Sequence, residues 1–189
     1  MPGLTRKDIE IGLRELGQAL HLSKLDLQGL DLSKLDLRRI DFSEANLSGV
    51  NFKGSKLNGA NLKGALLIKA DLYEVNLDSI LPSSVTENLI SPLASDPLYI
   101  TDLSDADLRG ATLKYATLRF TNLSKAILTG ANLAVAQLTG ANLTEADLRW
   151  ANLDRANLKE AQFAGAIYNV ETQWSSGLIP LLTGATLVN

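Results

Sequence analysis

Side chains that ordinarily do covalent or acid–base chemistry are nearly missing from this 189-residue sequence. With no Cys there is no thiolate nucleophile, thiolate metal site or disulfide framework. A single His, His21, excludes a multi-histidine metal centre, and it stands between Leu20 and Leu22 with no general-base partner beside it. The stretch Gly49-Val50-Asn51-Phe52-Lys53-Gly54-Ser55-Lys56 has the glycines and lysines of a phosphate-binding loop, but its Lys and Ser stand in the wrong order. Asn46-Leu47-Ser48, Asn122-Leu123-Ser124 and Asn142-Leu143-Thr144 satisfy the glycosylation pattern only because a small polar residue follows Asn-Leu. Rows of Asp and Asn offer oxygen atoms to a cation, yet solvated turns are the better account of them. The sequence therefore reads as non-enzymatic, with no catalytic residue, cofactor or metal.

The elements that position these residues follow from a repeat of five. From Leu22 an apolar residue returns at Leu27, Leu32, Leu37, Phe42 and onward to Leu77, twelve times in succession. After an interruption the beat resumes one residue out of phase at Leu103 and continues thirteen times to Phe163. Two places earlier stands a second regular position, which in the later block is Ala except at Thr101 and Thr121. In the first coils it is Leu20, Leu25, Leu30, Leu35 and Ile40, so that end is expected to pack differently. A helix needs apolar spacing near 3.6 and a strand near 2. A period of five keeps one face inward only if the chain turns once per repeat, and the Asn, Asp, Gly and Ser around each Leu tolerate turns. Residues twenty apart, such as Leu22, Phe42 and Leu62, are expected in one vertical column.

Ala131-Asn132-Leu133, Ala141-Asn142-Leu143, Ala146-Asp147-Leu148 and Ala151-Asn152-Leu153 resemble the pentapeptide-repeat protein family. That resemblance implies an all-β solenoid, a right-handed quadrilateral β-helix of about six coils. Ala166-Ile167-Tyr168-Asn169-Val170-Glu171-Thr172-Gln173-Trp174 resembles the ending of cyanobacterial-type members, with Trp174 placed to cover the last coil. Thr5 and Asp8 resemble a capping box, and Ile9, Leu13, Leu16 and Leu20 share one side of a helix over roughly residues 5–19. Solenoids need such closures at both ends. The expected organisation is a capping helix in 1–19, coils in 20–78, an inserted loop in 79–100, coils in 101–168 and a C-terminal cap or tail in 169–189. Three of the five prolines fall in 79–100, which ends Ser95-Asp96-Pro97-Leu98-Tyr99, and a short helix is expected at 84–91. The apolar tail, from Leu178 to Leu187, is expected to fold back on the rod or to meet a second copy, giving a monomer or a dimer.

The outward positions hold the candidate partner-binding residues: Tyr115, Phe120, Trp150 and, at the close of the interruption, Tyr99. Leu66, Ile68, Tyr73, Ile127 and Val135 also point out in this register. The expected function is a non-catalytic binding or scaffold protein that presents a rigid prism and the 79–100 loop to an unidentified protein partner. The alternative comes from the resemblance: some family members imitate double-stranded DNA and bind type II topoisomerases such as gyrase. That activity relies on a strongly acidic face, whereas residues 101–169 carry seven basic and seven acidic side chains, Arg109, Arg119, Arg149 and Arg155 among them. The whole chain has 18 Lys plus Arg against 21 Asp plus Glu, too even a balance to attract nucleic acid directly. The charged start, Met1 to Asp8, leads into an amphipathic segment instead of a secretion signal, and no apolar run spans a membrane, so a cytoplasmic location is expected.

Overall fold

The computed structural model describes residues 4–80 and 99–189. Its repeating unit is a β-turn, closed at most corners by the carbonyl of the inward Leu or Phe and the amide three residues on, as in Ala45 N to Phe42 O at 3.0 Å and Ala131 N to Leu128 O at 2.9 Å. The third turn position lies in the left-handed region at every described corner but that of Ser79, the signature of type II geometry. Gly fills it at Gly49, Gly54 and Gly130, but fifteen corners carry a side chain there, including Lys24, Tyr115, Phe120, Val135 and Trp150. Such a position costs an L-residue roughly 1–2 kcal/mol.

Between corners, one residue per side bridges in parallel to the residue twenty places on: His21 to Asp41, Asp26 to Asn46, Asp31 to Asn51 and Asp36 to Lys56. Five residues per side and twenty per coil give a prism of four faces, numbered here from the His21 column. Among the described residues only β1 (Ile167–Tyr168) and β2 (Thr186–Leu187) reach strand length, because elsewhere the next corner interrupts the ladder. The second face stacks eight layers, from Asp26 through Ile167 to Thr186. At ~4.8 Å per layer the rod is ~34 Å long.

All 25 inward Leu and Phe side chains are buried, and the Ala row beside them is equally dry from Ala106 to Ala151. Each buried Leu or Phe contributes roughly 1.5–3 kcal/mol. Phe42 and Phe52 meet edge to face at 5.8 Å. The early Leu row packs differently from the Ala row, as expected. Leu25 is 37% exposed, Leu20, Leu30 and Leu35 are half-buried, and only Ile40 is enclosed. With no coil beneath, Leu20, Leu30 and Leu35 pack against the core at the open end and stay partly accessible. There α1 (Arg6–Leu16) crosses them, with Ile9 in the core and Leu20 against Gly12. Thr5 and Asp8 close a capping box on α1, and Arg6 donates to Asp31 O at 2.9 Å and Ser33 O at 3.2 Å. Leu16, expected on the apolar side, is 56% exposed.

The interruption leaves the stacking intact. Asn61 bridges to Asp102, Leu66 to Asp107, Asp71 to Thr112 and Asn76 to Thr117, each 41 residues on. The extra 21 residues explain the phase slip, being one more than a whole coil. Ser79 still donates its amide to Arg119 O at 3.0 Å, and Ile80 pairs with Tyr99 in both directions at 2.8 and 3.0 Å. The coil therefore runs to residue 80, two beyond the expected boundary. The helix expected at 84–91 lies outside the described residues.

At the other end the tail folds back: β2 pairs in parallel with β1, and Gly165 donates to Gly184 O at 3.0 Å. Trp174 packs edge-on against Phe163 at 5.6 Å and Tyr168 at 5.3 Å. Ile179, Leu181, Leu182 and Val170 stay exposed.

Candidate functional site

The face a residue occupies follows from counting by twenty, with 21 added across the interruption. Tyr115 then falls on the corner between the third and fourth faces, Phe120 and Tyr99 on the corner between the fourth and first, and Trp150 on the corner between the second and third. The four candidates do not form one patch. Three of them border the fourth face, and Trp150 lies away from it.

On the third–fourth corner, Tyr115 meets Tyr73 of the coil below edge to face, with ring centroids 5.5 Å apart. Lys53 Nζ lies 4.7 Å from the Tyr73 ring and Lys114 Nζ 5.1 Å from the Tyr115 ring. Burial raises the Tyr73 hydroxyl above its usual range, and the charge of Glu74 adds to the rise. On the fourth–first corner, Arg39 stacks 3.7 Å from the Tyr99 ring and donates to its hydroxyl. Phe120, 41% exposed, leans over the next coil at Gly140, where a Cβ would stand 2.6 Å from its ring. Gly59 makes the same room for Tyr99, whose Cβ would be 2.8 Å away. A large residue with a corner glycine one coil away on the same corner is the signal that marks these close approaches.

Trp150, 52% exposed, has its backbone amide taken by Asn169 Oδ1 at 2.9 Å. Thr172 Oγ1 donates to Leu148 O at 2.9 Å and accepts from Asn169 N at 3.2 Å. The Tyr-Asn…Thr…Trp ending is thus a device that stitches the final turn onto the coil beneath.

The polar columns are used internally. Each Asp or Asn before an inward residue accepts the amide two places on, as Asp41 Oδ1 does from Ser43 N at 3.0 Å. On the first face Asn61 Nδ2 then donates down to Asp41 at 3.0 Å, and Asn122 Nδ2 to Asp102 at 3.0 Å. His21 bridges to Asp41 at the foot of that column. On the second face Leu66 and Ile127 are exposed, and they alternate with Asp107 and Asp147. Arg109 and Arg149 each fork onto their own Asp at 2.6 Å. Burial pushes the Asp147 carboxyl up, but the bonds from Arg149 outweigh it and hold the carboxyl below the ordinary range.

Two residues with structural roles were visible only as exceptions in the Ala row. Thr101 Oγ1 accepts from Gly59 N at 2.6 Å and donates to Asp78 O at 3.0 Å, filling a gap that coil-to-coil bonding leaves at the interruption. Thr121 Oγ1 donates to Leu77 O at 2.7 Å.

This repeat, read as a family model, matches as pentapeptide repeats in eight copies over residues 21–59, 45–80, 101–134 and 131–167. The chain belongs to the pentapeptide-repeat family. Pentapeptide-repeat proteins fold as right-handed quadrilateral β-helices, in keeping with the four faces counted above. Among solved structures the chain is similar to alr5209, a pentapeptide repeat protein from Nostoc PCC 7120, at 33% identity over 47% of this chain and 78% of that one, with a TM-score of 0.39. It is also similar to HetL, a pentapeptide repeat protein involved in heterocyst differentiation regulation from the cyanobacterium Nostoc sp. strain PCC 7120. There the identity is 24%, the coverage 96% and 94%, and the TM-score 0.45. QnrB1, a plasmid-mediated fluoroquinolone resistance protein, is similar at 19% identity over 89% and 92% of the two chains, with a TM-score of 0.46. A comparison with curated proteins gives no match. No helix among the described residues is long and apolar enough to cross a membrane.

Proposed function

We propose that this pentapeptide-repeat protein is a non-catalytic binding rod that presents its outer faces to a protein partner, with α1 closing one end and the folded-back tail the other. One observation carries the reading. Tyr115, Phe120, Val135 and Trp150 occupy left-handed corner positions where Gly would be cheaper. The core gains nothing from them, since Tyr115, Phe120 and Trp150 are exposed. Large side chains held outward at a backbone cost suit recognition better than stability. The DNA-mimic alternative needs a continuous acidic face, and none of the four supplies one: Lys63 interrupts the first, Arg109 and Arg149 neutralise the second, Lys53 and Lys114 interrupt the third, and Lys56, Arg119 and Lys159 the fourth. Gyrase supercoiling unaffected at micromolar protein is the expected result. The exposed Ile179, Leu181 and Leu182 favour a dimer through the tail as a second reading, which sedimentation of wild type against Leu182→Asp tests.

The register supplies the cleanest test of the interruption. Removing residues 81–101 joins Ile80 to Asp102, placing Ile80 in the column of Ile40 and restoring the five-residue beat. That deletion and the Tyr115→Gly, Phe120→Gly and Trp150→Gly variants should keep the wild-type circular dichroism. Affinity capture from the source cells should recover a defined partner with wild type and lose it with at least one of these proteins. Capture of the same proteins by all of them would refute the binding reading.

A further inference from the structure

Resting on the binding reading, one side of the rod stands apart in charge. It runs from the Tyr73/Tyr115 corner across the fourth face to the Tyr99/Phe120 corner. Nine of the chain's 18 Lys and Arg project from it, against five of its 21 Asp and Glu, a net +4 on a chain of −3 overall. The remaining described surface and the chain ends are correspondingly acidic.

Four of these nine cations are paired, Arg38 with Asp36, Arg119 with Asp78, Arg155 with Asp154 and Lys159 with Glu160. Arg109 and Arg149 on the second face are spent on their own carboxylates, and Lys24 and Lys125 on the first pair with Glu44 and Glu145. By contrast Lys34, Arg39, Lys53, Lys56 and Lys114 have no carboxylate oxygen within ion-pair distance among the described residues. Lys53, Lys114 and Arg39 lie on tyrosine rings instead. A ring face steadies a cation at a modest gain and leaves its N–H donors free for an anion. The side is thus a set of held cations between two aromatic corners.

We infer that this side docks an acidic polypeptide segment, with carboxylates set against Lys53, Lys56 and Lys114 and apolar side chains against Tyr115 and Phe120. Charge complementarity selects the sign of the partner, and the aromatic borders select a polypeptide with apolar anchors. A nucleic acid fits less well. The tyrosines of the third–fourth corner pack edge to face with each other and present no open stacking platform for bases.

The full chain, immobilised, is panned against a displayed random dodecapeptide library, and enriched peptides are measured by fluorescence anisotropy. Enrichment in Asp and Glu together with Phe, Leu or Ile is expected. Their binding should weaken about tenfold or more with Lys53→Glu/Lys114→Glu and with Tyr115→Gly, and on raising NaCl from about 50 to about 500 mM. Lys24→Glu/Lys125→Glu, on the first–second corner, should change it less than about twofold. Circular dichroism verifies that each variant retains the fold. No enrichment, acid-free peptides, insensitivity to Lys53 and Lys114, or displacement of the peptides by a dT20 oligonucleotide of higher affinity would each overturn the inference. Peptides that respond only to Trp150→Gly would do so too, while leaving the binding reading intact.

Discussion

Gly140 offers a measurement of how Phe120 is held. Gly130 and Gly140 are both corner glycines with φ 66°, so Gly→Ala forces the same left-handed Cβ at each. That backbone cost is roughly 1–2 kcal/mol, partly offset by about 0.4–1 kcal/mol of lost freedom in the unfolded chain. At Gly130 a new Cβ meets nothing within 4 Å. At Gly140 it meets Phe120 Cδ1 and Cε1 at 2.6 Å, so the ring must move, which adds the ~1–3 kcal/mol typical of overpacking. Gly140→Ala should therefore be the less stable variant by ~1–3 kcal/mol, a gap of roughly 2–12 °C in Tm for a chain of this size. Urea and thermal unfolding measure both. In a Phe120→Ala background the gap should vanish, because the clash is with that ring alone. Equal costs at the two glycines, or a gap that survives Phe120→Ala, would show that Phe120 does not lean over the next coil. The fourth–first corner would then lose its aromatic border.

Thr101→Val should cost about 1–3 kcal/mol for each of the two backbone groups it orphans, Gly59 N–H and Asp78 C=O, while Thr101→Ser stays near wild type in the same urea titration. In the dry core, Leu133→Ala should lose ~2–5 kcal/mol to a cavity and Ala131→Leu ~1–3 kcal/mol to overpacking; calorimetry showing both neutral would contradict a filled prism. Asp147 titrates below the ordinary carboxylate value of ~3.9 because Arg149 holds it charged, so its unfolded form takes up a proton first. Its contribution is present above that value and is lost as pH falls through the lower folded-state pKa. Asp147→Asn should therefore flatten the acid limb of the Tm-against-pH curve, and an unchanged slope would deny the pair any role in acid stability.

The prism was legible because its inward place admits one kind of side chain: every fifth residue from Leu22 to Leu77 and from Leu103 to Phe163 is Leu or Phe, whatever surrounds it. What escaped depends on relations that no local window contains. Leu25 carries the same spacing as the buried rows but sits in a coil with none beneath it. Thr101 and Thr121 stand out from the Ala row, yet which carbonyl needs a hydroxyl depends on Asn61 meeting Asp102 across 41 residues. The same offset decides which aromatics are neighbours. Without it Tyr115, Phe120, Tyr99 and Trp150 look like one scattered set, and with it three fall around a single face.

Because the core fixes only two places in five, the other three are free to differ from face to face, and the second and fourth faces show what that freedom does. On the second, each Arg stands two places after an Asp, and the turn brings the pair into a fork at 2.6 Å. A guanidinium engaged in that way has little to offer an incoming carboxylate, and breaking the pair to bind one would return most of what was gained. On the fourth side Arg38 forks onto Asp36 in the same way, but Lys53 and Lys114 stand beside Tyr73 and Tyr115 instead of a carboxylate, so an acidic partner meets those two without first displacing an internal anion. Moving an Asp two places before Lys114, as Thr112→Asp would, should therefore convert that cation to the self-satisfied kind and weaken acidic peptides with its positive charge still in place. If Thr112→Asp leaves their affinity unchanged, availability of the cation is not what the fourth side contributes.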